Sequence, residues 1–236
     1  LFCCANIFVY WDVDTLNSTD GKFGSSRVLS SLENRPMMYT FYEPIFPEEE
    51  RKTGMSHKQD MEMLVAWREA WESAGWDTKV LSMNDAKLHP HYKDLLTKLK
   101  NAMEGKSQDQ SEILCFMRWM AVTAAGGGWM SDYDVFPLTL TAEQGLLLPN
   151  NGQFTTFDGI IPSLLSGSAI EWDRMAHQVI DAVDLMTDHI NDMTALSLIS
   201  RERPEVAFVQ QRKVLREVAY SSINKVDCFK TEEMVA

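Results

Sequence analysis

Cysteine is scarce in this chain. Only Cys3, Cys4, Cys115 and Cys228 occur in 236 residues, and no two have the two-residue gap of a zinc ribbon. A Cys-rich metal centre is therefore excluded as the organising feature. Cys3 and Cys4 are adjacent and bridge each other only with strain. Cys115 lies in an apolar run and reads as a small buried hydrophobe. Basic residues are also short: 22 Lys and Arg against 34 Asp and Glu leave a net charge of −12. With no long Lys/Arg patch, a nucleic-acid partner is excluded. An anionic small ligand would need a metal or a few local cations to reverse that field.

Several motifs are missing too. The five histidines form no H-E-x-x-H, and there is neither a G-x-S-x-G nor a P-loop, which argues against a zinc hydrolase, an α/β-hydrolase and a P-loop NTPase. His89-Pro90-His91 reads as a helix-entry loop rather than a metal pair. The N-terminal apolar run, LFCCANIFVYW, is eleven residues long, far below the ~20 that a membrane-spanning helix needs. It reads either as the tail of a signal-anchor helix or as a strand.

What is present is an ordinary globular composition, 45% apolar and 24% charged, enough for one full core or at most two small ones. Residues 12–34 are rich in Ser, Asn, Asp and Gly and read as a loop or stem, with a glycosylation pattern at Asn17-Ser18-Thr19. The expected organisation is an N-terminal stem or anchor remnant over residues 1–34, with a possible membrane anchor upstream of residue 1, and one α/β domain over 35–236. That arrangement fits a type II membrane protein facing the ER or Golgi lumen.

Met37 to Tyr42, bounded by Pro36 and Pro44, predicts a buried first strand. Met61, Leu64, Val65, Trp67, Ala70 and Trp71 recur at helical spacing, with Gly75 as the stop. Thr78–Leu81 predicts a second strand with an exit turn at 84–86, completing a βαβ unit. Tyr92–Met103 reads as an amphipathic helix and 154–157 as a strand. Ile160-Ile161-Pro162 leads into a small-residue segment, residues 163–172, while 171–187 and 191–200 read as helices and 206–220 as a helix or ordered tail. Strands alternating with helices favour an α/β fold with a mostly parallel sheet and flanking helices, whose ligands sit at the carboxyl ends of the strands.

The most informative stretch is residues 113–137, ILCFMRWMAVTAAGGGWMSDYDVFP. An apolar helix carrying one cation, Arg118, stops at Gly126–Gly128, and a short strand then delivers Asp132 and Asp134. A guanidinium in such a segment needs an anionic partner: Glu112, one of the two aspartates, or a phosphate. Two carboxylates at i and i+2 on a strand end offer hard oxygen ligands to Mg²⁺ or Mn²⁺. A rival D-x-D, Asp12 and Asp14, also ends a hydrophobic run and is similar to the nucleophile motif of haloacid-dehalogenase-like phosphatases. Its Thr15 is three residues after Asp12 rather than four, and no later Lys and paired-acid motif follows.

Arg118, Gly127-Gly128 and W-M-S-D-Y-D together resemble the DXD-containing sugar-binding region of family 32-like glycosyltransferases, which include initiating α-1,6-mannosyltransferases and α-1,4-galactosyl- and N-acetylglucosaminyltransferases. The resemblance is specific over about 25 residues and loose over 36–200. It implies a GT-A-type, Rossmann-like fold and a retaining hexosyltransferase that moves a sugar from a UDP- or GDP-linked donor to a glycan or lipid acceptor. Asp134 would hold Mn²⁺ or Mg²⁺, Asp132 would contact the metal or the donor, and Arg118 would orient either; no catalytic nucleophile is implied. The chain departs from the pattern twice: Arg118 to Gly127 is one residue longer than usual, and Cys115 stands where some relatives carry an acid. The remaining alternative is a catalytically silent sugar-binding domain.

Overall fold

Two side-chain periods, 3.6 for helices and 2 for strands, alternate along the chain, and the computed structural model resolves both. It describes residues 7–9, 35–46, 55–106, 110–187, 189–203, 206 and 208–216. Asp12, Asp14 and the Asn17 sequon lie outside the described residues.

Strand β1 (Ile7–Val9) is followed by β2 (Met37–Phe41), where the first buried strand was expected. Helix α1 (His57–Ser73) starts on a capping box. Ser56 Oγ accepts the Gln59 backbone N–H, and the Gln59 side chain accepts the Ser56 N–H at 2.8 Å, so two backbone donors at the helix start are satisfied reciprocally. Gly75, at φ +88°, lies just beyond its end. Strand β3 (Asp77–Leu81) pairs with β2 in parallel, giving the βαβ unit. The exit turn at 84–86 tightens into a short helix, α2 (Met83–Ala86), closed by Ser82 and Asp85. Helix α3 (Tyr92–Met103) occupies the residues its period marks.

Helix α4 (Gln110–Ala124) leads into β4 (Gly127–Ser131) and β5 (Val135–Pro137). After the short helix α5 (Ala142–Gly145) come β6 (Thr155–Asp158), β7 (Ile161–Ser168), α6 (Ala169–Asp181), α7 (Asp192–Glu202), β8 (Val209–Gln210) and β9 (Val214–Arg216). Two readings need correction. Residues 161–168, most of which fall in the expected small-residue segment, form the longest described strand, and 209–210 and 214–216, within the expected helix or ordered tail, are strands.

The main sheet has the order β3-β2-β4-β7-β6-β8. The pairs β3/β2, β2/β4 and β6/β8 are parallel, and β7 alone runs against its neighbours. The fold is therefore α/β with a mostly parallel mixed sheet. A smaller sheet, β5-β1-β9, sits beside it. Of the expected stem, Ile7–Val9 is thus a strand, paired in parallel with Val135–Pro137.

Alternation along the strands sends side chains to two cores. Met130 and Leu165 join the α3, α4, α6 and α7 side. Their neighbours Trp129 and Leu164 join Trp67, Trp71 and Trp76 on the α1 side. At Gly127 the β4 backbone packs tightly against the start of α6. This residue has φ +75°, and a Cβ there would lie 2.5 Å from the Ala169 nitrogen, so only glycine fits.

Candidate functional site

Helix α1 carries its buried residues Asp60, Leu64, Trp67 and Trp71 on one stripe, and that stripe holds the turn after β4. Trp67 Nε1 donates to Ser131 Oγ at 2.9 Å, fixing the last residue of the strand. Trp71 Nε1 donates to the Val135 carbonyl at 3.0 Å. Between them the chain turns tightly: the Val135 N–H reaches the Asp132 carbonyl at 3.1 Å, and the Asp132 N–H donates to the Ser163 carbonyl on β7 at 2.8 Å. Tyr133 points inward, its hydroxyl donating to Asp60 Oδ1 at 3.2 Å. The Tyr42 hydroxyl donates to the other oxygen of that carboxylate, also at 3.2 Å. Asp132 and Asp134 therefore flank a half-buried tyrosine on a turn fixed at both ends. That turn lies at the carboxyl end of β4, the last strand of the parallel run β3-β2-β4, and strand carboxyl ends are where such sheets place ligands.

Arg118 reaches this turn from α4. One of its terminal nitrogens donates to Asp132 Oδ1 at 2.6 Å, and its Nε donates to Asp192 Oδ2 at 2.6 Å. The other terminal nitrogen also pairs with Asp192. Trp119 Nε1 donates to the same Asp192 oxygen at 2.9 Å. The anionic partner demanded by a cation in an apolar helix is thus two aspartates, one on the expected turn and one on α7. Arg118 and Asp192 are nearly buried, at 11% and 5% exposure, whereas Asp132 is 36% exposed. Asp192 is the first residue of α7, after the Asn191 cap, where the partial positive charge of the helix start favours a carboxylate.

Two carboxylates, Asp132 and Asp192, share one guanidinium. Burial, aided by Asp134 and Asp192 and opposed by Arg118, pushes the Asp132 carboxyl above the ordinary carboxylate range. Because a third of its side chain meets solvent, that desolvation is partial. The carboxylates hold the Arg118 proton more tightly than usual, overcoming the desolvation that works against its charge. Cys115, one turn before Arg118, is half-buried and its thiol is pushed up to about 12, first by burial and then by Asp192. It stays protonated and is a poor metal ligand.

Two carboxylates on one turn, partly open to solvent, are hard oxygen donors of the kind a divalent cation takes. Among the described residues, no three His, Cys, Asp or Glu side chains converge as they stand on a point that could hold a metal. A cation at this turn would take Asp132 and Asp134 and complete its shell with water or ligand oxygens. The structure brings Arg118 together with Asp132, as one reading of the sequence required. It adds Asp192, Asp60 and Tyr133, which sequence reasoning missed. Asp60 left a signal, a carboxylate on the buried stripe of α1; Asp192 left only its place at a helix start.

Fold and site together define an α/β domain with an arginine-clamped acidic turn at a strand end. The chain belongs to the family described as Domain of unknown function (DUF8765), whose model matches residues 19–229. No curated protein and no solved structure matches the chain. Among the described residues, no helix is long and apolar enough to cross a membrane.

Proposed function

We propose that this chain is a metal-dependent retaining glycosyltransferase of GT-A type, transferring a hexose from a UDP- or GDP-linked donor to a glycan or lipid acceptor. The observation that carries the reading is the bond from Arg118 to Asp132 at 2.6 Å. It joins the helix arginine and the D-x-D turn, two separated parts of the motif in which the resemblance lies. The carboxyl ends of β2, β3 and β4 share one edge of a parallel run, which supports a nucleotide crevice there.

Asp134 and Asp132 would hold Mn²⁺ or Mg²⁺, which when bound offsets the charge of a leaving diphosphate. Arg118 orients Asp132, and Asp192 holds Arg118 from behind. Trp67, Trp71 and Tyr133 keep the turn from drifting, so the carboxylates are positioned before a donor arrives. Such a transferase belongs in the Golgi or ER lumen, as a type II membrane protein.

A second reading, a sugar-binding domain without transfer, is favoured by the same bond, because Arg118 occupies an Asp132 oxygen that a metal would use. Calorimetry with Mn²⁺ and a panel of UDP- and GDP-sugars, followed by a donor-hydrolysis assay, separates the two. Transfer or hydrolysis that is lost in Asp134→Asn supports the enzyme. Donor binding without turnover supports the silent domain, and unchanged turnover in Asp134→Asn removes the site assignment.

A further inference from the structure

A further carboxylate shares the sheet edge of Asp132. Strand β7 runs antiparallel to both β4 and β6, so β4 and β6 end at the same edge. The last residue of β6 is Asp158. Between the two aspartates stands Ser163 of β7, a polar side chain at 1% exposure. Its backbone carbonyl accepts the Asp132 N–H at 2.8 Å, and its hydroxyl donates to Asp158 Oδ2 at 3.0 Å. One buried serine thus ties the acidic turn and the end of β6 to the same point of a central strand.

The two carboxylates also share a face. Side chains alternate along a strand. Ser163 is two residues from Leu165, which packs on the α4 and α6 side, and one from Leu164, which packs on the α1 side. The Ser163 hydroxyl and the carboxylate it holds are therefore on the α4 side, from which Arg118 reaches Asp132. Neighbouring strands are about 4.8 Å apart, so two spacings set the Asp132 and Asp158 backbones roughly 10 Å apart. A hexose ring is about half that width, and it would lie over Ser163 when its phosphate is at the acidic turn. Asp158 is half-buried, so the protein fixes its position without sealing it in the core.

We infer that Asp158 is a specificity-determining residue of the donor site, accepting hydrogen bonds from hydroxyls of the hexose while the diphosphate lies at the Asp132–Asp134 turn; this rests on the transferase reading above. An ionised carboxylate only accepts, and it offers about four lone-pair sites. It can take the Ser163 hydroxyl and a ligand hydroxyl together. A sugar presents hydroxyl donors at fixed angles, and a site built to pair with them rejects a ligand that places them elsewhere. Ser163 is the positioning residue: it aims the carboxylate and, through its carbonyl, sets the turn that faces it.

The test is calorimetry of the whole chain with Mn²⁺ and, in turn, UDP, GDP, UDP-glucose, UDP-galactose, UDP-N-acetylglucosamine and GDP-mannose. Asp158→Ala should weaken binding of the preferred nucleotide-sugar by about tenfold or more and leave the matching diphosphate unchanged. Asp158→Asn keeps the volume and an acceptor for Ser163, so its fold should hold, and it should show a smaller loss confined to the same ligand. Ser163→Ala should follow Asp158→Asn in direction. A lowered melting temperature with nucleotide-sugar affinity unchanged in both Asp158 variants would mean that the serine and aspartate only close the β6–β7 turn, and overturns the inference. Equal weakening of diphosphate and nucleotide-sugar also overturns it. Either result leaves the transferase reading standing, whereas a wild type that binds none of these ligands removes both.

Discussion

Arg118 and Asp192 are joined by the Nε donor at 2.6 Å, and the neighbouring Trp119 ring N–H reaches the same carboxylate oxygen at 2.9 Å. Both partners are nearly buried, so each is costly without the other. Asp192→Ala should destabilise the fold by about 3–5 kcal/mol, the usual cost of breaking a buried pair from one side. Replacing both, Arg118→Met with Asp192→Leu, should recover much of that loss. Urea denaturation of the two single variants and the double variant checks it. Additive losses would show that the two residues are not coupled.

Asp132 links this pair to pH. Its carboxyl is raised in the folded state, to about 7, by burial first and then by Asp134 and Asp192, with Arg118 opposing. The native state thus binds this proton more tightly than the unfolded chain does. The resulting stabilisation is greatest at the acidic end of the range and is lost as pH rises through the folded value. Between about pH 4 and 7, the wild type should lose stability relative to Asp132→Asn as pH rises. Mn²⁺, which competes with that proton, should bind more weakly at about pH 5 than at about pH 7. Denaturation and calorimetry at both pH values measure the two effects.

Tyr133 tests whether the turn is positioned from α1. Tyr133→Phe keeps the ring but removes a donor from the buried Asp60 carboxylate. The expected cost is about 1–3 kcal/mol, together with weaker Mn²⁺ binding although no proposed metal ligand is changed. A stability loss with unaltered Mn²⁺ affinity would show that the tyrosine supports the fold but does not position the aspartates.

The glycines at the start of β4 should respond unequally. Gly126 has φ +100° and open space around its missing Cβ, whereas Gly127 combines φ +75° with a clash against the Ala169 backbone. Gly126→Ala should cost about 1–2 kcal/mol for the left-handed backbone alone. Gly127→Ala should add the overpacking penalty, roughly 1–3 kcal/mol more. Thermal denaturation of the two variants side by side reads the difference.

The structure locates the elements that the side-chain periods marked most clearly. Trp67 and Trp71 lie on a helix against the sheet, and Tyr92–Met103 is a helix. Strand β7 escaped notice because Ser163, Ser166, Gly167 and Ser168 carry little apolar signal, although Ser163 and Ser166 are buried. In a central strand with helices over it, small side chains let the layers approach, and no alternation needs to show. Residues 209–216 escaped for a related reason: strands two and three residues long are too short to display a period.

By itself the sequence determined that Arg118 must find an anion, because a guanidinium in an apolar helix is unaffordable alone, and that Gly126–Gly128 end that helix just before two aspartates. Both follow from local physics along a few turns of chain. Only the tertiary structure decided that the guanidinium is shared between Asp132 and Asp192 and that Asp60 holds the tyrosine between the aspartates. Those partners are separated by 73 or 74 residues or were chosen among several carboxylates. Spacing along a chain carries no information about which distant side chains the packing of sheet and helices will bring into contact.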